Sequence, residues 1–227
     1  AHFWCSQMHQ AERFGVHFTP VWSANMICNS EQIQLFARIF LFKITLEIIQ
    51  AFCHKPLCIN LAGFCFQHHI IGDSNTALEA MKNETVRMGK RPLILGNAVK
   101  GEPQTAARAI ADNILAGKYN DYDILLAAGE TTPVLPDNPG QGGRNQHFAA
   151  STLLALENLS SVWTHISLGS DGSDYLPDVA GAIVDSRVLE KARALGLSLR
   201  DYLDRFDTYN LFKKIGGSLI ETGPTGT

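Results

Sequence analysis

Apolar residues recur with a helical period from Thr76 to Met88, where Leu78, Met81, Thr85 and Met88 share one face. Ile70 and Ile71 read as a strand end, Gly72-Asp73-Ser74-Asn75 as turn and N-cap, and Gly89 as the stop. Pro92 to Leu95 then reads as a buried strand. A helix follows Gly101-Glu102, with Pro103 in its first turn, Ala106, Ala107, Ile110, Ile114 and Leu115 on one side, and Gly117 at its end. Asp123 to Ala128 is the next strand. Strand, helix, strand, helix, strand at this spacing implies right-handed crossovers and a parallel sheet, so residues 69 to 128 read as a Rossmann-like α/β unit.

The pattern continues downstream. It predicts a helix over His147 to Leu156, a strand over Val162 to Leu168, a helix capped by Ser186 that runs to Leu195, and a strand over Ser218 to Glu221. Ser198 with Asp201 resembles a capping box for a helix through Phe206. The 227 residues suffice for one large or two small domains, and a formal charge of −3 lacks the basic footprint of a nucleic-acid binder.

Composition divides the chain. All five cysteines and six of the eight histidines precede residue 70, where charge is scarce. An odd, unpaired set of cysteines fits reduced thiols and a cytoplasmic setting better than a disulfide framework. Cys53, His54, Cys58, Cys65, His68 and His69 do not follow the usual paired zinc spacing. The apolar run from Ile33 to Cys53 is interrupted by Arg38, Lys43 and Glu47, so a buried amphipathic helix is expected there and no membrane span. With no Met at position 1 and a loop at its end, the chain reads as a fragment.

Four polar stretches carry the candidate chemistry. Gly142-Gly143 lets the backbone approach an anion, and Arg144 adds a planar fork of donors suited to a carboxylate or phosphate, with Asn145 beside it. Glu130 with Thr131 and Thr132 follows a strand, at the end where open α/β sheets bind ligands; a capping role explains the threonines equally well. Asp171, Asp174 and Asp178 follow another strand and could ligate Mg²⁺, although Asp-Gly is also ordinary turn chemistry. No Walker loop, Gly-x-Gly-x-x-Gly or Gly-x-Ser-x-Gly elbow is present.

Taken in order, Gly129-Glu130-Thr131-Thr132, Gly142-Gly143-Arg144-Asn145-Gln146, Asp171-Gly172-x-Asp174 with Asp178 and Ala180-Gly181-Ala182, and Thr222-Gly223-Pro224-Thr225-Gly226-Thr227 resemble the C-terminal MOFRL domain of the glycerate 2-kinase family. Gly72-Asp73 with Thr76-Ala77-Leu78-Glu79-Ala80 resembles the end of that family's preceding domain, so the likeness spans residues 69 to 227. The resemblance implies a Rossmann-like unit followed by an α/β MOFRL-type domain, divided as 69–122 and 123–227, with 1–68 foreign to the family fold. It further implies ATP-dependent phosphorylation of D-glycerate with Mg²⁺. Arg144, Asp171 and Asp174 would be catalytic, Gly142, Gly143, Asn145 and Glu130 would bind substrate, and Asp171, Asp174 and Asp178 would hold the metal. A hydroxypyruvate reductase and a non-catalytic anion-binding module are the rivals; D-glycerate is the expected partner, and a homodimer is compatible. The chain departs from the family pattern at Ala128 for Gly, His147 for Glu, and Tyr175-Leu176-Pro177 for Gly-Pro-Thr.

Overall fold

Asp73 starts the first helix by accepting the Thr76 amide at 2.8 Å, so a local cap fixes helix α1, Ser74–Arg87. The computed structural model describes residues 23–28, 57–61, 64–68, 73–176, 178–223 and 225. The expected strand end at Ile70–Ile71, the run from Ile33 to Cys53 and Cys53-His54 lie outside them. Among the described residues no helix is long and apolar enough to cross a membrane.

Strands β1 (Ser23–Cys28), β2 (Leu57–Leu61) and β3 (Phe64–His68) precede α1. After it come β4 (Pro92–Gly101), α2 (Pro103–Leu115), β5 (Ile124–Thr131), α3 (Arg144–Ala155), β6 (Thr164–Gly169) and β7 (Gly181–Asp185). The chain continues through α4 (Ser186–Ala194), α5 (Leu199–Asp204), α6 (Thr208–Ile215) and β8 (Leu219–Ile220). β2 and β3 form a separate antiparallel pair; the main sheet has the order β4-β5-β1-β6-β7-β8.

β4 and β5 are parallel, as the strand–helix–strand pattern predicts. β1 runs antiparallel to both β5 and β6, and β7 antiparallel to β6 and β8. β4, β5, β6 and β8 therefore point one way and β1 and β7 the other, which makes the sheet mixed. One edge of the sheet gathers the carboxyl ends of β5, β6 and β8 and the start of β7. All four polar stretches leave from that edge.

The strands bury both faces and alternate between two layers. Ile124, Leu126 and Ala128 of β5, with Ile166 and Leu168 of β6, pack on Leu78 and Met81 of α1. On the opposite face Ala127 meets Phe148 and Ala107, while Ala182 and Val184 of β7 join Ala149, Leu153, Leu211 and Phe212. Helices thus cover the sheet on both sides.

Some boundaries differ from the sequence pattern for physical reasons. α3 begins at Arg144, three residues before the expected His147, because a carboxylate from a distant loop caps it. α4 is capped by Asp185, whose side chain accepts the Val188 amide, and Ser186 is its first residue. Ser198 accepts the Asp201 amide at 3.2 Å, but α5 ends at Asp204 because Phe206 turns to φ 53°.

Candidate functional site

β5 delivers Glu130 to the sheet edge and the loop after it delivers Arg144 to the first turn of α3. Their side chains meet at 2.6 Å from Arg144 Nη1 to Glu130 Oε1, with about a third of each exposed, 35% and 39%. The pair is open to solvent and offers further guanidinium donors to an incoming anion.

The amide N–H groups immediately behind Arg144 are committed to the protein. Asp174 Oδ1 accepts the Asn145 backbone amide at 2.9 Å and the Asn145 side-chain amide at 3.1 Å. Its Oδ2 accepts from the Gln146 backbone at 2.9 Å and the Gln146 side chain at 3.2 Å. Asp174 is therefore the anion at the start of α3, taking the second and third amides that a helix leaves free. Burial pushes its carboxyl up from the ordinary range, and the four hydrogen bonds pull the other way. Asn145 Oδ1 also accepts the Ser167 hydroxyl at 2.9 Å, so this amide has partners on both ends.

The glycine pair has a packing reason. A Cβ on Gly143 would overlap the Asp174 carboxyl and carbonyl, and one on Gly142 would overlap the Thr208 hydroxyl. Both glycines are buried. Close approach is needed here, as the sequence suggests, but the groups that approach are Asp174 and Thr208 of this chain.

The aspartates do not converge. Asp171 accepts the Ser173 amide at 3.0 Å in a turn, Asp174 is buried at α3, and Asp178 is exposed. Among the described residues no group of three or more His, Cys, Asp or Glu side chains is placed to hold a metal ion. Turn geometry thus holds these three carboxylates apart, and four donors surround that of Asp174 at the start of α3. The fourth stretch does join the third, since Thr225 donates its hydroxyl to Ser170 O at 2.6 Å and its amide to Asp171 O at 3.3 Å.

His147 lies one turn deeper. It is buried, and its ring stacks on Phe206 with centroids 4.3 Å apart and planes 17° apart. Gln104 Nε2 stands 3.3 Å from its Nε2, and its Nδ1 has no hydrogen-bond partner among the described residues. Burial lowers its pKa to about 4, so the ring is neutral near pH 7. A cavity of about 290 Å³ lies beside it, lined by Glu102, Gln104, Leu135, Asp204 and Phe206 among others. Its lining carries carboxylates and no Lys or Arg, which suits an anion poorly. Arg144 and Glu130 do not border it.

Sequence reasoning missed Asp207 and helix α6. Leu211, Phe212 and Ile215 are its buried apolar positions, and that spacing after Asp207-Thr208 was the available signal.

Residues 123–227 match the model of the MOFRL family. The chain is 36% identical to the D-glycerate 2-kinase of Thermotoga maritima over 70% of its own length and 39% of that protein. It is 31% identical to a glycerate 2-kinase of Pyrococcus horikoshii, covering 70% of this chain and 36% of the relative. A protein of Agrobacterium vitis named as a candidate hydroxypyruvate reductase is 34% identical, over 70% of this chain and 42% of that one. The crystal structure of glycerate kinase from Thermotoga maritima superposes with a TM-score of 0.63 at 35% identity, over 70% of this chain and 39% of that structure. This chain spans about two fifths of the length of these relatives.

Proposed function

We propose, from the match of residues 123–227 to the MOFRL family model, that the chain belongs to a glycerate 2-kinase and supplies the carboxylate-binding side of its cleft. The reaction is transfer of a phosphoryl group from ATP to the 2-hydroxyl of D-glycerate. The hydroxyl oxygen bonds to the γ-phosphorus, the bond from that phosphorus to the ADP oxygen breaks, and the hydroxyl proton leaves to solvent or a base.

The observation that carries this reading is the Arg144–Glu130 pair at the carboxyl edge of the sheet. Arg144 is the binding group: its guanidinium takes the glycerate carboxylate in a fork of two hydrogen bonds. Glu130 holds the guanidinium in position from the β5 side. Asn145 and Asp174 hold the backbone beneath it and do not touch substrate. Gly142 and Gly143 let that backbone pack against Asp174 and Thr208. Mg²⁺, when bound with ATP, would neutralise phosphoryl charge. The names of the relatives support this reading, and localisation in the cytoplasm and a homodimer go with it.

A non-catalytic anion-binding module is the second reading, favoured by the solvent-open Arg144–Glu130 pair, whose guanidinium suits any carboxylate or phosphate. Calorimetry with D-glycerate beside an ATP-plus-glycerate assay, on the wild type and Arg144→Ala, separates the two. Turnover selects the kinase, and binding without turnover selects the module. Unchanged glycerate binding in the variant removes Arg144 from the site.

A further inference from the structure

Asp207 stands at the N-cap position of α6, where an aspartate ordinarily accepts an amide of its own helix, yet its side chain makes no such bond. Its Oδ1 instead accepts the backbone amide of Gln141 at 3.0 Å, from a loop more than sixty residues upstream, and the Asn210 side chain at 2.7 Å. Two backbone bonds flank this one: Gly140 donates to Arg205 O at 2.8 Å, and Tyr209 donates to Gln141 O at 2.8 Å. The corner between α5 and α6 thus grips the loop two to four residues before Arg144.

The contact is close enough to dictate sequence. A Cβ on Gly140 would lie 2.5 Å from both Cβ and Oδ1 of Asp207, and the Thr208 hydroxyl occupies the space a Gly142 side chain would need. The corner itself is rigid. Phe206 is buried with φ 53° and stacks on His147 of α3, so the corner is packed on the helix that carries Arg144. Asp174 secures the loop from its other end, at Asn145 and Gln146. Arg144 therefore lies between two carboxylate anchors, neither of which makes a hydrogen bond to its guanidinium.

We infer that Asp207 is a positioning residue for the anion-binding arginine: by holding the Gln141 amide it fixes the Gly-Gly-Arg loop so that Arg144 presents its guanidinium beside Glu130. Its action needs an acceptor at Oδ1 and no contact with substrate. The inference rests on the reading of Arg144 as the glycerate-binding group.

The test compares Asp207→Ala, Asp207→Asn and Gly140→Ala in the full chain. It reads the dissociation constant for D-glycerate by calorimetry and the hydrogen exchange of the 140–145 amides. Asp207→Ala should raise the dissociation constant about tenfold, the worth of one hydrogen bond, and speed exchange at Gln141. Asp207→Asn keeps Oδ1 and should restore both values. Gly140→Ala reaches the same contact from the loop side and should weaken binding while α5 and α6 keep their exchange protection; it decides the matter if Asp207→Ala fails to fold. Wild-type exchange at residues 140–145 in both Asp207→Ala and Gly140→Ala overturns the inference, as does an Asn variant no better than the Ala variant. If the wild type fails to bind glycerate, the functional reading falls, and the exchange data still decide whether Asp207 orders the loop.

Discussion

Gly143 and Asp174 share one space: the carboxyl group of Asp174 lies where a side chain on Gly143 would begin. The two residues come from different polar stretches, and their contact places the start of α3 against the loop after β6. The site is assembled by that contact as much as by the sheet.

Gly143→Ala should consequently be among the most damaging single substitutions in the chain. Its backbone, at φ −104°, accepts alanine, so the cost is overlap with the Asp174 carboxyl and carbonyl alone. A loss of about 2–4 kcal/mol in urea unfolding is expected. A loss under about 0.5 kcal/mol would show that the two loops separate easily.

Asp174→Ala should act as a lost helix cap. The buried Asn145 and Gln146 amides lose their acceptor, at a cost of about 1–3 kcal/mol. The loss should be the same with and without millimolar Mg²⁺. Stabilisation by Mg²⁺ of the wild type but not of the variant would return Asp174 to a metal-binding role.

Arg144→Ala should separate binding from stability. The pair with Glu130 is partly exposed, and such pairs contribute about 0–1 kcal/mol. Unfolding should move little, while kcat/KM for glycerate in a complete homologue carrying the equivalent change should fall on the order of 10²-fold. A variant that unfolds readily would instead mark Arg144 as a structural residue.

Acid should weaken the fold through two buried histidines. Burial lowers the pKa of His147 to about 4 and of His165 to about 3, below the ordinary 6.5 of histidine. Below pH 6.5 the unfolded chain takes up protons that the folded chain refuses, so stability is full above that pH and is lost as pH falls toward 4 and then 3. Each histidine contributes a slope of up to about 1.4 kcal/mol per pH unit. His165 lies in β6, with neither ring nitrogen hydrogen-bonded among the described residues, edge-on to Phe148 at 5.4 Å. Urea unfolding of His165→Gln between pH 4 and 7 should show a shallower dependence; an unchanged one would assign the acid sensitivity elsewhere.

Legibility in the sequence followed the range of the interactions. α1 begins where Asp73 says it should, because cap and helix are three residues apart. α3 was placed late because its capping carboxylate is 29 residues away at Asp174, with no local trace. The loops of the site were legible as types and in order, and the sheet gathers them at one edge. The hydrogen-bond partners within them were not. Asp171, Asp174 and Asp178 have the same residue type and turn-like spacing, yet one closes a turn, one caps a helix and one faces solvent. Tyr175, which stands where the family pattern has Gly, adopts φ 71° and is 74% exposed. Short β7 and amphipathic α6 went unread, and with α6 went Asp207.

The middle strand of the sheet carries a consequence in time. β5 and β6 run the same way and share no ladder; each bonds to β1, which enters between them from roughly 100 residues before β5 and roughly 140 before β6. The pairs β4–β5 and β6–β7 close over much shorter loops and so form first, and β1 joins them against the larger loop entropy. During refolding, helical signal should therefore recover before the fixed spacing between the ends of β5 and β6. The edge that carries Glu130 and the Asp174 loop is then among the last parts of the molecule to mature.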